Sequence, residues 1–424
     1  MLKILKIKRP SILFIAALAI IVSCNGNGKN ETINTGTKEG YVAFTNNGES
    51  KYVIVGQSSL SSNIKLFAEA LKSATGAELS VATATTSNAK DFEIIVGNTA
   101  ARSETAEALR GIRNGYGILV SGKKLVIAGT DETWTVLAME AFAKNVMKNP
   151  EYCHDGMLEI PSDYWDSDKD DDPQFIARFI KENREFRIIP TLIGSVPQSG
   201  VYKVAQGAAS DGTYAYFVMK GNEDASYNSQ CVVYKYRLSP FEKISVSAEF
   251  NGHHANDMTF DTKNNRALVV NGSGASGTLT AIDAETMAVS TINTSLGIGG
   301  LTYNAKQNIY GVTQGGTKYQ IADENFTLKK DYGRNDGQVN SYTAQGMGSD
   351  DSFVYFPMSP KSSAKTTDNI LCTYDWNGNY VTDIHIPLSL ESESMFYADG
   401  KYYVNFYNAG ARLYKITPLI TFKY

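Results

Sequence analysis

The chain has 424 residues, 42% of them hydrophobic, and carries 40 Lys and Arg against 44 Asp and Glu, for a formal net charge of −4. A body of this length is roughly twice a usual single domain, so two domains are expected. The slight acidity excludes the concentrated basic face of a nucleic-acid partner.

At the N-terminus, Lys3, Lys6, Lys8 and Arg9 form a positive segment, and Ile12 to Val22 form an apolar stretch too short to span a bilayer comfortably. This pattern predicts a signal peptide over residues 1–24. Its end, Ile21-Val-Ser-Cys24, resembles the bacterial lipobox, and the resemblance implies that the Cys24 thiol is acylated and becomes the new N-terminus. Acyl chains hold a protein on a membrane by burying methylenes at about 0.8 kcal/mol each. The expected location is therefore the cell envelope, extracytoplasmic and lipid-anchored, with the outer membrane favoured. Residues 25–39, rich in Asn, Gly and Thr, read as a flexible tether. With Cys24 assigned to lipid, Cys153, Cys231 and Cys372 remain, and an odd number does not make a disulfide framework.

Residues 40–165 predict a small α/β domain, a mixed sheet with helices. Tyr52 to Gly56 and Phe92 to Gly97 read as strands, Asn63 as the cap of a helix ending at Gly76, and a second helix is expected near Ser103 to Ile112. Tyr116 to Val120 and Lys124 to Ala128 read as a hairpin, and Asp131 caps a long helix carrying Val136, Met139, Ala143 and Val146 at helical spacing. The run through Gly76, Ile94 to Gly97, Gly115 to Val120 and Ile127 to Gly129 resembles the non-catalytic N-terminal domain of β-hexosaminidases and α-glucuronidases. That resemblance implies association with glycan processing and places no catalytic residue here. Residues 166–185 read as an acidic linker and a short helix; Asp171 and Ala177 stand where a calcium-binding EF-hand loop needs Gly and Glu.

From residue 186 to 424 the pattern predicts an all-β five-bladed β-propeller. Asp211, Asp261, Asn304, Asp350 and Asp399 recur 43 to 50 residues apart, each between an apolar segment and a β-rich run. Such a period fits four-stranded blades, which bury both faces only against neighbours. Phe186 to Ile193 lacks a blade of its own and is expected to pair with Arg412 to Ile416, removing an exposed edge.

In that architecture the loops leading into the inner strands gather Gln206, His253, His254, Asn256, Asp257, Gln345, Glu391 and Glu393 at one mouth, a convergence of polar groups expected of a ligand site. Tyr342 and Tyr407, beside loops, are the aromatic candidates for stacking on a sugar ring; Tyr374, Trp376 and Phe406 are also available. The expected function is a binding protein for a glycan or related small ligand. A glycoside hydrolase or lyase using Asp257 with Glu391 or Glu393 is the enzyme alternative, and a protein-interaction scaffold of the envelope is the third. His254, Asp257 and Glu393 would serve in a metal alternative, while no metal or other cofactor is the expectation.

Overall fold

The computed structural model describes residues 37–221, 229–272, 276–314, 318–333, 340–362, 364 and 366–424. The signal segment, Cys24 and the tether as far as residue 36 lie outside the described residues. No helix among the described residues is long and apolar enough to cross a membrane.

The N-terminal part is an α/β layer. A six-stranded mixed sheet runs in the order Ser80–Thr83, Val53–Gly56, Glu93–Val96, Lys124–Gly129, Gly115–Ser121, Trp165–Lys169. The first three pairings are parallel and the last two antiparallel. The central strands are buried throughout and rich in Ile and Val, as parallel strands covered by helices must be. The Asp131 side chain accepts the Trp134 amide and caps the helix Glu132–Phe142, as its position in the sequence predicts.

Three local expectations need correction. Asn63 lies inside the helix Ser61–Thr75, not at its start, and its buried side chain bonds elsewhere. The acidic stretch is not simply a linker, because Trp165–Lys169 is the sixth strand of the sheet; on this edge Asp168 is exposed to water and Asp166, half-buried, accepts from Asn145. The predicted second helix shrinks to Glu104–Ala108. The short helix of the linker region is present at Phe175–Lys181.

The rest of the chain is antiparallel β. Four consecutive sheets begin with Tyr202–Ser210, Asp257–Asp261, Gly300–Asn304 and Tyr342–Ala344 continued by Gly348–Ser349. The fifth is built from Glu391–Ala398, Lys401–Tyr407, Gly410–Ile420 and, as its outer strand, Phe186–Pro197. The long pairing of Phe186–Pro197 with Gly410–Ile420 joins the two ends of this region by backbone hydrogen bonds. First strands of successive sheets touch in a closed cycle, with Glu391–Ala398 against both Tyr202–Ser210 and Gly348–Ser349.

Each pair of adjacent sheets encloses its own apolar cluster. Tyr216 and Val218 of the first sheet pack on Met258 and Ala267 of the second, while Phe217 and Met219, on the opposite face of the same strand, pack on Phe396 and Leu413 of the fifth. Period-two alternation therefore feeds two interfaces at once, and each buried side chain of this size contributes roughly 1.5–3 kcal/mol.

Four of the five recurring Asp and Asn residues build turns, Asp261 Oδ1 among them by accepting the Asn264 amide, while the Asp399 carboxylate pairs with Arg113 and Lys401. Asp211 Oδ1 accepts the amides of Thr213 and Tyr214, Asp350 Oδ1 those of Ser352 and Phe353, and Asn304 Oδ1 that of Gln307. A short side chain that bonds the backbone two or three residues on closes the turn between first and second strand. Asp350 Oδ2 also accepts the hydroxyls of Tyr355, in its own sheet, and Tyr402, in the next.

Candidate functional site

In three of the five sheets the first strand leaves regular pairing, whereas Asp257–Asp261 and Gly300–Asn304 pair without a shift. In the first sheet Ala205 faces Met219 but Ala208 faces Phe217, so Gln206 and Gly207 share one partner. In the fifth, Ser392 faces Phe406 and Ser394 faces Asn405, leaving Glu393 as the extra residue. In the fourth, Ala344 faces Met358 and Gly348 faces Tyr355, so three residues from Gln345 to Met347 oppose two. A bulge bends the strand and re-aims a side chain. Three of the predicted site residues, Gln206, Gln345 and Glu393, stand on these bulges.

Small residues let the strands crowd together there. A Cβ on Gly346 would lie 2.5 Å from the Glu393 carbonyl oxygen and 2.6 Å from Asp257 Oδ1, and one on Gly207 would lie 2.5 Å from the Asp257 carbonyl carbon. Asp257 itself is 0% exposed. Its Oδ1 accepts the Met258 amide, and its Oδ2 accepts those of Leu301 and Met347, all at 2.9 Å. Burial pushes its carboxyl well above the usual range, with the three amides pulling the other way. One side chain thus ties the second, third and fourth sheets together, and it organises the site without meeting solvent. Asn256 does similar work, donating from Nδ2 to the carbonyls of Gly299 and Gln345.

The groups able to meet a ligand surround this core. Gln345 Nε2 donates to Glu391 Oε1 at 2.9 Å, and Glu391 is exposed. Tyr407 lies directly across the strand pair from Glu391 and is half-buried. Glu393 is 4% exposed, and its carboxyl is pushed well above the usual range by burial first, then by Glu391 and Asp257, against an opposing pull from Lys220. Lys220, 3% exposed, places its Nζ 3.3 Å from His254 Nδ1.

His254 is carried by a tightly turned loop. His253 and Ala255 on either side of it both have left-handed φ, 51° and 53°, which is costly for residues with a Cβ. The loop is tied by the Gly252 amide to the Ser229 carbonyl and by the Gly272 amide to the Gly252 carbonyl. The His253 ring is exposed, and its carbonyl accepts the Cys231 thiol.

Several predicted contacts serve packing. Gln206 is buried and folds its Nε2 onto the Ala205 carbonyl. Tyr342 packs against the cluster between third and fourth sheets, where burial, Asp368 and Asp383 push its hydroxyl up. Tyr374 and Phe406 are buried, and Trp376 is buried with Nε1 donating to the Asp350 carbonyl. The metal alternative does not form: among the described residues no group of three or more His, Cys, Asp and Glu is placed to hold an ion, and both Asp257 oxygens are occupied by amides. Lys220 is the participant that sequence reading misses. It ends the β-rich run Tyr214–Gly221, where a lysine ordinarily reads as a solvated strand end.

Among the described residues, cavities lie elsewhere. One of about 780 Å³ is lined by Phe179, Phe186, Arg187, Ile384 and His385, between the helix Phe175–Lys181 and outer strands. Another, about 160 Å³, is lined by Gln174, Ser210, Asn304, Asp350 and Tyr397, at the turn end of the first strands.

No protein-family model matches the chain, and no curated protein matches it. Among solved structures the chain is similar to a Kuenenia stuttgartiensis hydrazine synthase chain, at 10% identity and a TM-score of 0.30. The match covers 50% of this chain and 58% of that one. Likeness at that level carries no argument about fold or activity.

Proposed function

We propose that the five antiparallel sheets are the blades of a five-bladed β-propeller and that the chain is an extracytoplasmic binding protein, anchored in the cell envelope through acylated Cys24. It recognises a glycan or related small ligand at the mouth formed where the chain enters the inner strands. The α/β layer, by its resemblance, is of the kind attached to glycan-processing enzymes.

One observation carries this reading. Lys220, His254, Gln345, Glu391 and Glu393 come from four separate sheets, linked by the Lys220–His254 and Gln345–Glu391 hydrogen bonds around the buried Asp257. Amine, imidazole, amide and carboxyl groups side by side, with Tyr407 as a half-buried aromatic face, match what sugar hydroxyls and ring faces require. The test is binding of the full chain to a panel of neutral and acidic oligosaccharides, measured by calorimetry. Binding that weakens about tenfold or more in Glu391→Ala and Gln345→Ala is the expected result. Failure of every saccharide to bind rejects the reading.

A second reading rests on Glu393 and Glu391. One carboxyl pushed well above the usual range by burial, two residues from an exposed one, is the arrangement by which an acid and a base divide their roles in glycoside cleavage. Asp257, fully buried and bonded to three amides, takes no part in it. Release of reducing ends by the wild type and its loss in Glu393→Gln would establish turnover; no release from any bound saccharide leaves binding alone.

A further inference from the structure

The cavity of about 780 Å³ beside the helix Phe175–Lys181 is bordered by two runs of consecutive residues, 183–188 on one side and 381–385 on the other. Side chains alternate between faces along a strand, so a wall that uses five residues in a row is the strand's edge, where main-chain groups project. The first run enters Phe186–Pro197, the outer strand of the fifth sheet, and the second lies within Tyr380–Ile386, the outer strand of the fourth. Each strand pairs on one side only, with Gly410–Ile420 and Asn369–Asp375 respectively, and among the described residues no hydrogen bond joins one to the other. The cavity also reaches apolar ground: Ile188 and Ile384 belong to the cluster between the fourth and fifth sheets, with Ile180, Phe186 and Val381 packed against it. Free edges are ordinarily blunted by charge. Leu328–Gly333, the outer strand of the third sheet, carries Lys329, Lys330 and Asp331, whereas Tyr380–Ile386 holds Asp383 alone among Asp, Glu, Lys and Arg.

We propose that this cavity takes an extended peptide segment of another protein, added as a strand along Tyr380–Ile386, with its alternate apolar side chains turned toward Phe186, Ile188 and Ile384. A strand with a rise of about 3.3 Å, a lateral spacing of about 4.8 Å and about 10 Å between packed layers occupies roughly 160 Å³ per residue, so the cavity holds about five residues. The free edge that borders it, Val381 to His385, is of the same length. Main-chain hydrogen bonds to such an edge supply affinity, and pockets for alternate side chains supply selectivity. Glu185, Arg187 and His385 are exposed on the border and leave the outward positions of the peptide open to either charge. None of these residues belongs to the mouth of the inner strands, so the proposal does not depend on a saccharide binding there.

The full chain is titrated, by fluorescence polarisation, with a library of labelled hexapeptides that place Val, Ile, Leu or Phe at alternate positions and Ser, Thr, Lys or Glu between them. At least one is expected to bind with a Kd of about 10 μM or tighter. Its main chain is then methylated one nitrogen at a time. Methylation should weaken binding about tenfold or more at every second residue, where the N–H faces the edge, and leave the residues between unaffected. A benzophenone side chain at the centre of the peptide should crosslink to residues 183–188 or 381–385. Failure of every peptide to bind, a loss that does not alternate along the methylated series, or crosslinks on another surface overturns the proposal. Binding of laurate with no peptide bound overturns it as well, and makes the cavity a site for apolar molecules. All of these readouts use the unaltered chain, so none depends on a variant that folds.

Discussion

Asp257 Oδ2 and the Met347 amide are 2.9 Å apart across 90 residues of chain, and the same oxygen accepts the Leu301 amide. Three sheets therefore meet directly on one carboxyl. Asp257→Asn keeps the volume but turns an NH2 group toward an amide donor, because both Asp257 oxygens accept. We expect a loss of about 1–3 kcal/mol, read from urea or guanidinium unfolding. A variant as stable as the wild type would show that the amides do not hold the centre together.

Glu393 makes stability depend on pH in a stated direction. Its carboxyl in the folded chain titrates well above the usual range, burial being the first cause, whereas in the unfolded chain it titrates near pH ~4. Its contribution is fully present below about pH 4 and is lost as pH rises toward the folded value. Glu393→Gln should match the wild type at about pH 4 and gain on it above, by up to about 1.4 kcal/mol for each pH unit. Parallel stability curves for the two proteins between about pH 4 and 8 would contradict this.

The crowding at Gly346 is open to a paired test. A methyl there meets the Glu393 carbonyl and the Asp257 carboxyl, neither of which is a flexible end able to swing away. Gly346→Ala should cost about 1–3 kcal/mol and weaken saccharide binding along with it. Gly333, in an exposed strand with nothing within 4 Å of the place a methyl would take, is the control, and Gly333→Ala should leave both quantities unchanged.

How much of the fold and the site is legible in the sequence follows from the range of the forces involved. Asp211, Asp350 and Asn304 bond amides two or three residues away, so their spacing marks each turn in the sequence itself. The pairing of Phe186–Pro197 with Gly410–Ile420 is legible because two strands each lack a partner. The bulges are not, since an extra residue is defined only against a partner strand; Gly207 and Gly346 are their sole local trace. Lys220 escapes a sequence reading because burial at the end of a strand is set by a neighbouring sheet's loop, here the one bearing His254. Asn63 reads as a cap because its true partners lie more than 350 residues downstream.

Those partners join the α/β layer to the last strand of the fifth sheet. Asn63 Nδ2 donates to the Ile420 carbonyl at 3.1 Å, Asn63 Oδ1 accepts the Phe422 amide at 2.6 Å, and Thr133 Oγ1 donates to the Pro418 carbonyl at 2.6 Å. Leu419, Ile420 and Phe422 are buried in the same apolar cluster as Phe67 and Phe142, with the Phe422 ring edge-on to Phe67. A strand that closes one set of sheets and fills the core of another should make the two unfold together. Asn63→Ala strands a buried carbonyl and a buried amide at once and should cost about 1–3 kcal/mol in a single transition. Deleting Leu419 to Tyr424 removes the apolar contacts as well, and calorimetry should then resolve two transitions where the whole chain gives one. Two transitions already present in the whole chain would mean that the shared strand does not couple the parts.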